Sequence, residues 1–259
     1  MFWRATGFVL AALLWSGTAS AQRQEVVVSA AASLTDALEQ IARAYEKRSG
    51  THVILNFGPS NTLARQIAAG ARVDLFVSAD EAQMDVVARQ IVQGTRVDLL
   101  ANQLAIAVPD DRPAEFSSAR KLTEPSIRRI AIGDPEAVPA GVYARKYLEA
   151  AGLWKAVESK LVPVGSVRLA LAAVENGAAD AAIVYRTDIA TAKRARLAFV
   201  VPEAEGPKIA YPAAVIQGGA NGAGARQLLA FLQGVEAAAL FRKGGFVPLA
   251  SGSAAEGRK

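Results

Sequence analysis

The sequence predicts an α/β fold built from two βαβαβ halves, and three observations carry that expectation. Strand-like and helix-like segments alternate along the chain, as they do where each strand hands over to a helix across a sheet. Of the 259 residues, 52% are hydrophobic, too many for a disordered tail. That length holds one large core or two small ones. Two halves of about 80 to 110 residues fit better than one continuous sheet, although no internal repeat and no Gly/Ser-rich linker marks a boundary.

The first 21 residues read as an address label. Arg4 supplies a positive start, Phe8 to Trp15 form a short apolar run, and Ala19-Ser20-Ala21 gives small residues at a cleavage position. The run is shorter than the roughly 20 residues needed to span a bilayer, so a cleaved secretory signal is expected over 1–21. A lipid-anchored bacterial protein needs a cysteine directly after its signal, and the chain has none. The mature chain is therefore expected to diffuse freely in the periplasm.

Beyond the signal, Val26-Val27-Val28 reads as a buried strand, and Leu34, Ala37, Leu38, Ile41 and Tyr45 follow at helical spacing up to Gly50. His52 to Phe57 makes a second strand, and a helix carrying Leu63, Ile67 and Ala68 runs to Gly70. Asp74 to Val77 is a third strand, with Met84, Val87, Ala88 and Ile91 on the helix behind it. Leu104 to Val108 is an apolar run stopped by Pro109, and the charged stretch from Asp110 to Pro125 reads as a loop with a short helix.

The second half repeats the style. Arg129 to Ile132 is a strand, Val142 to Ala151 a helix, Leu161 to Val164 a strand, Val167 to Asn176 a helix and Ala181 to Tyr185 a strand. Tyr211 to Ile216 is a further strand, and one last helix is expected from about Ala223 to Arg242. The small, polar tail after Phe246 is expected to fray.

Composition removes several chemistries. Zero cysteines exclude disulfides, thiolate metal sites, iron–sulfur clusters and a cysteine nucleophile. A single histidine, His52, excludes a multi-histidine metal centre. The net charge of +5 invites a nucleic-acid reading. However, the basic pairs Arg128-Arg129, Lys193-Arg194 and Arg242-Lys243 are short, scattered and free of interleaved aromatics, so nucleic acid is not an expected partner.

The turns from strand to helix are where an open α/β sheet binds its ligands. Three are built alike: Ala30-Ala31-Ala32-Ser33, then Phe57 to Thr62 around Ser60, and Asp134 to Gly141 around Ala140. Each offers small residues and helix N-termini, and none places lysine or arginine at the first helical position. Neutral N–H groups and a helix dipole hold an anion in that way. Ser33 and Ser60 also suit plain N-caps. Asp134 and Glu136 read as turn caps before an acid/base pair, Arg168 as a salt-bridged helix residue, and His52 as a strand-end residue. The glycines of 218–222 do not follow a strand in dinucleotide-binding order.

In that order, AAASLTDAL (30–38), PSNTLARQIAAG (59–70), VDLFVSAD (73–80), IGDPEAVPAGVYA (132–144), VRLALAAVENGAA (167–179), IVYRTD (183–188), YPAAVI (211–216) and FRKGGF (241–246) span nearly the whole mature chain. The chain thereby resembles the periplasmic molybdate-binding proteins of ABC transporters. The resemblance implies a type II periplasmic-binding-protein fold, each lobe a mixed sheet flanked by helices. Lobe 1 would hold 22–102 plus 211–259 and lobe 2 103–210, with hinge crossings near Asn102 and Ala210. It implies a monomer that binds molybdate or tungstate in the cleft and delivers it to a membrane permease with its ATPase. No catalysis and no cofactor are implied, because the metal arrives wrapped in oxide. The implied ligands are Ser33 through its hydroxyl and its backbone N–H, Ser60 in the second turn, Ala140 and Val167 through backbone N–H, and Tyr185 through its phenol. Where relatives often carry a run of serines, this chain has Pro59-Ser60-Asn61.

Two rival readings stand beside that one. One is a receptor of the same fold for another anion, such as sulfate, phosphate or a ferric complex. The other is a secreted hydrolase using Ser33 or Ser60, for which His52 is the only available histidine and no G-x-S-x-G surrounds either serine.

Overall fold

The structure, a computed structural model, describes residues 24–111 and 116–249. The expected signal segment over 1–21 lies outside the described residues.

The chain opens with β1 (Glu25–Ala31), in which Val26 and Val28 are buried and Val27 is half-buried. A 3-10 turn at Ala32–Leu34 leads into α1 (Thr35–Ser49), which buries Leu38, Ile41, Ala42 and Tyr45 at the expected spacing. It stops at Gly50, where φ is 72° and the N–H returns to the Glu46 carbonyl; that left-handed cap suits glycine best. Next come β2 (His52–Gly58), α2 (Ser60–Ala68), β3 (Leu75–Val77), α3 (Glu81–Val86) and β4 (Val97–Asn102).

One residue later the chain enters a second sheet with β5 (Leu104–Pro109), followed by β6 (Ile130–Gly133), α4 (Pro139–Ala150) and α5 (Trp154–Val157). It continues through β7 (Leu161–Val164), α6 (Val167–Glu175), β8 (Ala181–Tyr185), α7 (Arg186–Ile189) and β9 (Ala195–Val200). The return to the first sheet is made by β10 (Ile209–Val215), then α8 (Gly222–Leu232), α9 (Val235–Lys243) and the short β11 (Val247–Pro248).

The first sheet runs β11-β4-β10-β3-β1-β2 and the second β7-β6-β8-β5-β9. Both are mixed. β1 pairs in parallel with β2 and β3, and β6 with β7 and β8, whereas β10 and β5 run antiparallel to their neighbours. Strands carrying helix crossovers are thus parallel, and those where the chain changes sheet are antiparallel. Among the described residues, no helix is long and apolar enough to cross a membrane.

Several elements depart from the expectation. β4 and β9 were not foreseen, and β11 pairs with β4 just where fraying was expected. The helix expected over Met84 to Ile91 breaks after Val86, and Ile91 bridges to Ile216 instead. The single last helix is two, divided at Gly234. The third strand begins at Leu75 because Asp74 acts as a joint, its carboxylate accepting from the N–H of Val27 and of Asn221 at 2.7 Å each. Finally, α4 begins at Pro139, three residues early: proline fixes φ for a helix start and needs no N–H partner there.

Candidate functional site

A cavity of about 20 Å³ lies between the helices of the first sheet and those of the second. Ser33, Ser60, Ala140, Val167 and Tyr185, the five residues singled out in the sequence, all line it. Ser33 and Ser60 come from the β1–α1 and β2–α2 turns, and the other three from α4, α6 and the end of β8. Such a space suits a small inorganic ion and is too small for a sugar, amino acid or peptide.

The backbone supplies its donors by necessity. Ser60 is the first residue of α2, Ala140 the second of α4 and Val167 the first of α6. N–H groups in a first helical turn have no acceptor within their own helix. In α6 the N-cap Ser166 accepts from the Leu169 N–H at 3.2 Å, which leaves the Val167 N–H unused by that cap. None of the residues lining the cavity is charged. The helix dipoles and neutral donors therefore make its positive character.

Neither serine serves as a side-chain cap. Neither α1 nor α2 has a side-chain N-cap bond, so the capping reading is corrected. Ser60 Oγ accepts from the Ala79 N–H at 3.0 Å, leaving its own proton for another acceptor. Ser33 Oγ lies 3.0 Å from the Tyr211 hydroxyl, which itself accepts from Asn102 Nδ2 at 3.2 Å. Tyr211 is fully buried, and burial pushes its phenol far above the usual range.

Tyr185 is equally buried, and its hydroxyl has no hydrogen-bond partner. Its ring meets that of Tyr211 edge-on, with centroids 5.8 Å apart. A buried phenol without a partner costs about 1–3 kcal/mol, and this one lines the cavity. Asn61 is not among the lining residues, so the approach in the second turn belongs to Pro59 and Ser60.

Arg168, next to Val167, clasps the two sides together. Its Nη2 lies 2.6 Å from Asp36 Oδ2 on α1 and 3.4 Å from the Ser33 carbonyl, and its Nη1 donates to Thr191 Oγ1 at 2.8 Å. Its Nε sits 3.2 Å from the buried Asp188. Burial pushes Asp188 up to about 7 against the pull of Arg168.

The remaining candidates lie elsewhere. Asp134 caps a turn by accepting from the Glu136 N–H at 2.9 Å, while Glu136 pairs with Arg145. They form no acid/base dyad. His52 bonds Glu46 Oε1 at 2.6 Å on the first strand position of β2 and does not line the cavity. In the 218–222 stretch, Asn221 caps α8 by accepting from the Gly224 N–H. Sequence reasoning missed Tyr211 and Asn102 as contributors to the site. Tyr211 looked like an ordinary strand residue and Asn102 like a hinge position, and only the folded chain brings them behind Ser33.

This fold and this neutral cavity between two sheets define a class, the solute receptors that take up a small ligand between two halves. The chain belongs to the bacterial extracellular solute-binding proteins, whose family profile matches residues 26–247. It is 40% identical over 237 residues to the molybdate-binding protein ModA of Escherichia coli (strain K12), covering 89% of this chain and 92% of that one. It is 34% identical over 235 residues to the putative ABC transporter substrate-binding lipoprotein YvgL of Bacillus subtilis (strain 168), covering 89% of each. Among solved structures, the periplasmic molybdate-binding protein of Azotobacter vinelandii superposes with a TM-score of 0.78 at 26% identity, covering 86% of this chain and 98% of that one.

Proposed function

We propose that this chain is a periplasmic receptor that binds molybdate, and tungstate with it, between two lobes and delivers it to an ABC permease driven by its ATPase. The observation that carries this reading is the partnerless Tyr185 hydroxyl, buried in a cavity whose other walls are neutral donors. A fully ionised oxyanion has no proton to give, so a ring of donors suits it. Sulfate shares its charge and shape, so molybdate wins by size. If about five to seven such bonds each contribute ~1.5–3 kcal/mol, the gross gain covers closure and ordering and leaves micromolar to nanomolar affinity.

In this reading lobe 1 holds 22–102 and 211–259, lobe 2 holds 103–210, and the hinges fall near Asn102 and Ala210. The ligands are Ser33, Ser60, Ala140, Val167 and Tyr185. The receptor works as a monomer, since the site is internal to one chain, and needs no cofactor. The reading is of a binding protein rather than a catalyst, in line with relatives named for binding; His52, bonded to Glu46, does not line the cavity.

The test is thermal unfolding of the mature protein. Micromolar molybdate or tungstate raises the midpoint by several degrees and equal sulfate raises it little. A flat response to all three contradicts the proposal.

A further inference from the structure

We propose that Tyr211, held by Asn102 where the chain crosses between the sheets, makes Ser33 an obligate hydrogen-bond donor and so tunes the cavity toward fully deprotonated oxyanions. The inference rests on the anion-receptor reading above and deepens it. It names a positioning residue and the property of the ligand that this residue selects.

Asn102 Oδ1 accepts from the Gln103 N–H at 2.9 Å, which fixes the orientation of its amide. Its Nδ2 then faces Thr187 Oγ1 at 2.9 Å and the Tyr211 hydroxyl at 3.2 Å, and an amide NH₂ can only donate. The Tyr211 hydroxyl is left with one proton to place in a fully buried setting. Of its two partners, only Ser33 Oγ can accept it. Buried donors are nearly always satisfied, so Tyr211 donates to Ser33. The Ser33 proton must then point elsewhere, and Ser33 lines the cavity.

Ser60 reaches the same polarity by a simpler route, since the Ala79 N–H occupies its oxygen. The Ser33 and Ser60 hydroxyls are thus donors toward the cavity, each with a lone pair already spent. An anion that carries a proton, such as hydrogen phosphate, needs an acceptor in the wall; Ser33 and Ser60 turn their protons toward it, which leaves that part to Tyr185. Each mismatch of that kind leaves a buried polar group unpaired. The relay also ties this polarity to the hinge. Asn102 closes β4 at the first crossing, Tyr211 lies on β10 after the second, and Thr187 belongs to α7 beside the second sheet.

A double-mutant cycle tests it, with dissociation constants for molybdate and for inorganic phosphate measured by calorimetry at pH 7 on wild type, Tyr211→Phe, Ser33→Ala and the double variant. Phenylalanine keeps the edge-on ring contacts to Tyr185 and Phe246. Tyr211→Phe is expected to weaken molybdate about tenfold and to narrow the molybdate-to-phosphate ratio. The double variant is expected to bind molybdate no more weakly than Ser33→Ala. Losses that simply add, or an unchanged ratio in Tyr211→Phe, overturn the proposal. Wild type that ignores molybdate overturns the receptor reading itself, a result distinct from additivity among variants that do bind.

Discussion

The two sides of the cavity present donors by different means. The side built on the first sheet adds to the helix start at Ser60 the hydroxyls of Ser33 and Ser60, whose oxygens are engaged from behind by Tyr211 and the Ala79 N–H. The side built on the second sheet uses main-chain N–H groups at the starts of α4 and α6, set by Pro139 and Ser166, together with the phenol of Tyr185. Hydroxyls can be removed one at a time by substitution. Backbone donors are fixed by where a helix begins, so they fail only when the helix moves. One wall is tunable and the other is dictated by the fold.

The largest expected effect breaks the dictated wall. A Cβ at Gly141 would lie 2.0 Å from the Gly133 carbonyl oxygen and 2.5 Å from that of Asp134, both backbone atoms with little freedom to yield. Gly141→Ala should cost about 3 kcal/mol of stability and abolish binding, checked by urea unfolding and titration. The matching change on the other wall, Gly58→Ala, meets only the Leu63 side chain at 3.3 Å and should fold normally.

Next comes the tunable wall. Ser60→Ala removes one donor to the anion and should weaken molybdate roughly tenfold to a hundredfold, or ~1.5–3 kcal/mol. The cost to stability should be only about 1 kcal/mol, for the orphaned Ala79 N–H. Calorimetry and a thermal melt on the same variant separate the two numbers.

Tyr185→Phe sharpens the comparison, because it deletes a hydroxyl that the ligand-free protein does not satisfy. Stability should hold or rise by up to about 1 kcal/mol, while affinity falls about tenfold. A loss of both would mean that the phenol has a structural partner. The smallest effect is expected for Asp36→Asn, which loosens the clasp from Arg168 on α6 to α1. Asp36 is half exposed, and such pairs are worth about 0–1 kcal/mol. Stopped-flow release should therefore quicken only a few-fold, and high salt should erase the difference.

How much of this was legible in the sequence follows from the range of the forces involved. Local signals were plain: the valine run of β1, the 3–4 spacing of α1 and the small residues of the three turns all placed ligand candidates on helix starts. Elements whose reason to exist is a distant partner were not legible. β4 and β9 are strands because β10 and β5 lie beside them, and β11 is ordered by β4. The same holds for the site. Ser33 was readable as a turn residue, but its partner Tyr211 lies 178 positions away. The break at Gly234 needed only a glycine inside an otherwise continuous helical pattern, and that signal was present to be weighed.

The central claim is that this neutral cavity is built for one tetrahedral dianion larger than sulfate. Calorimetric titration of the mature wild-type protein with molybdate, with sulfate as the competing anion, tests it most directly. The account predicts one site per chain, micromolar or tighter, with sulfate about a hundredfold weaker or more. Equal affinity for the two anions, or no heat with molybdate, would contradict it.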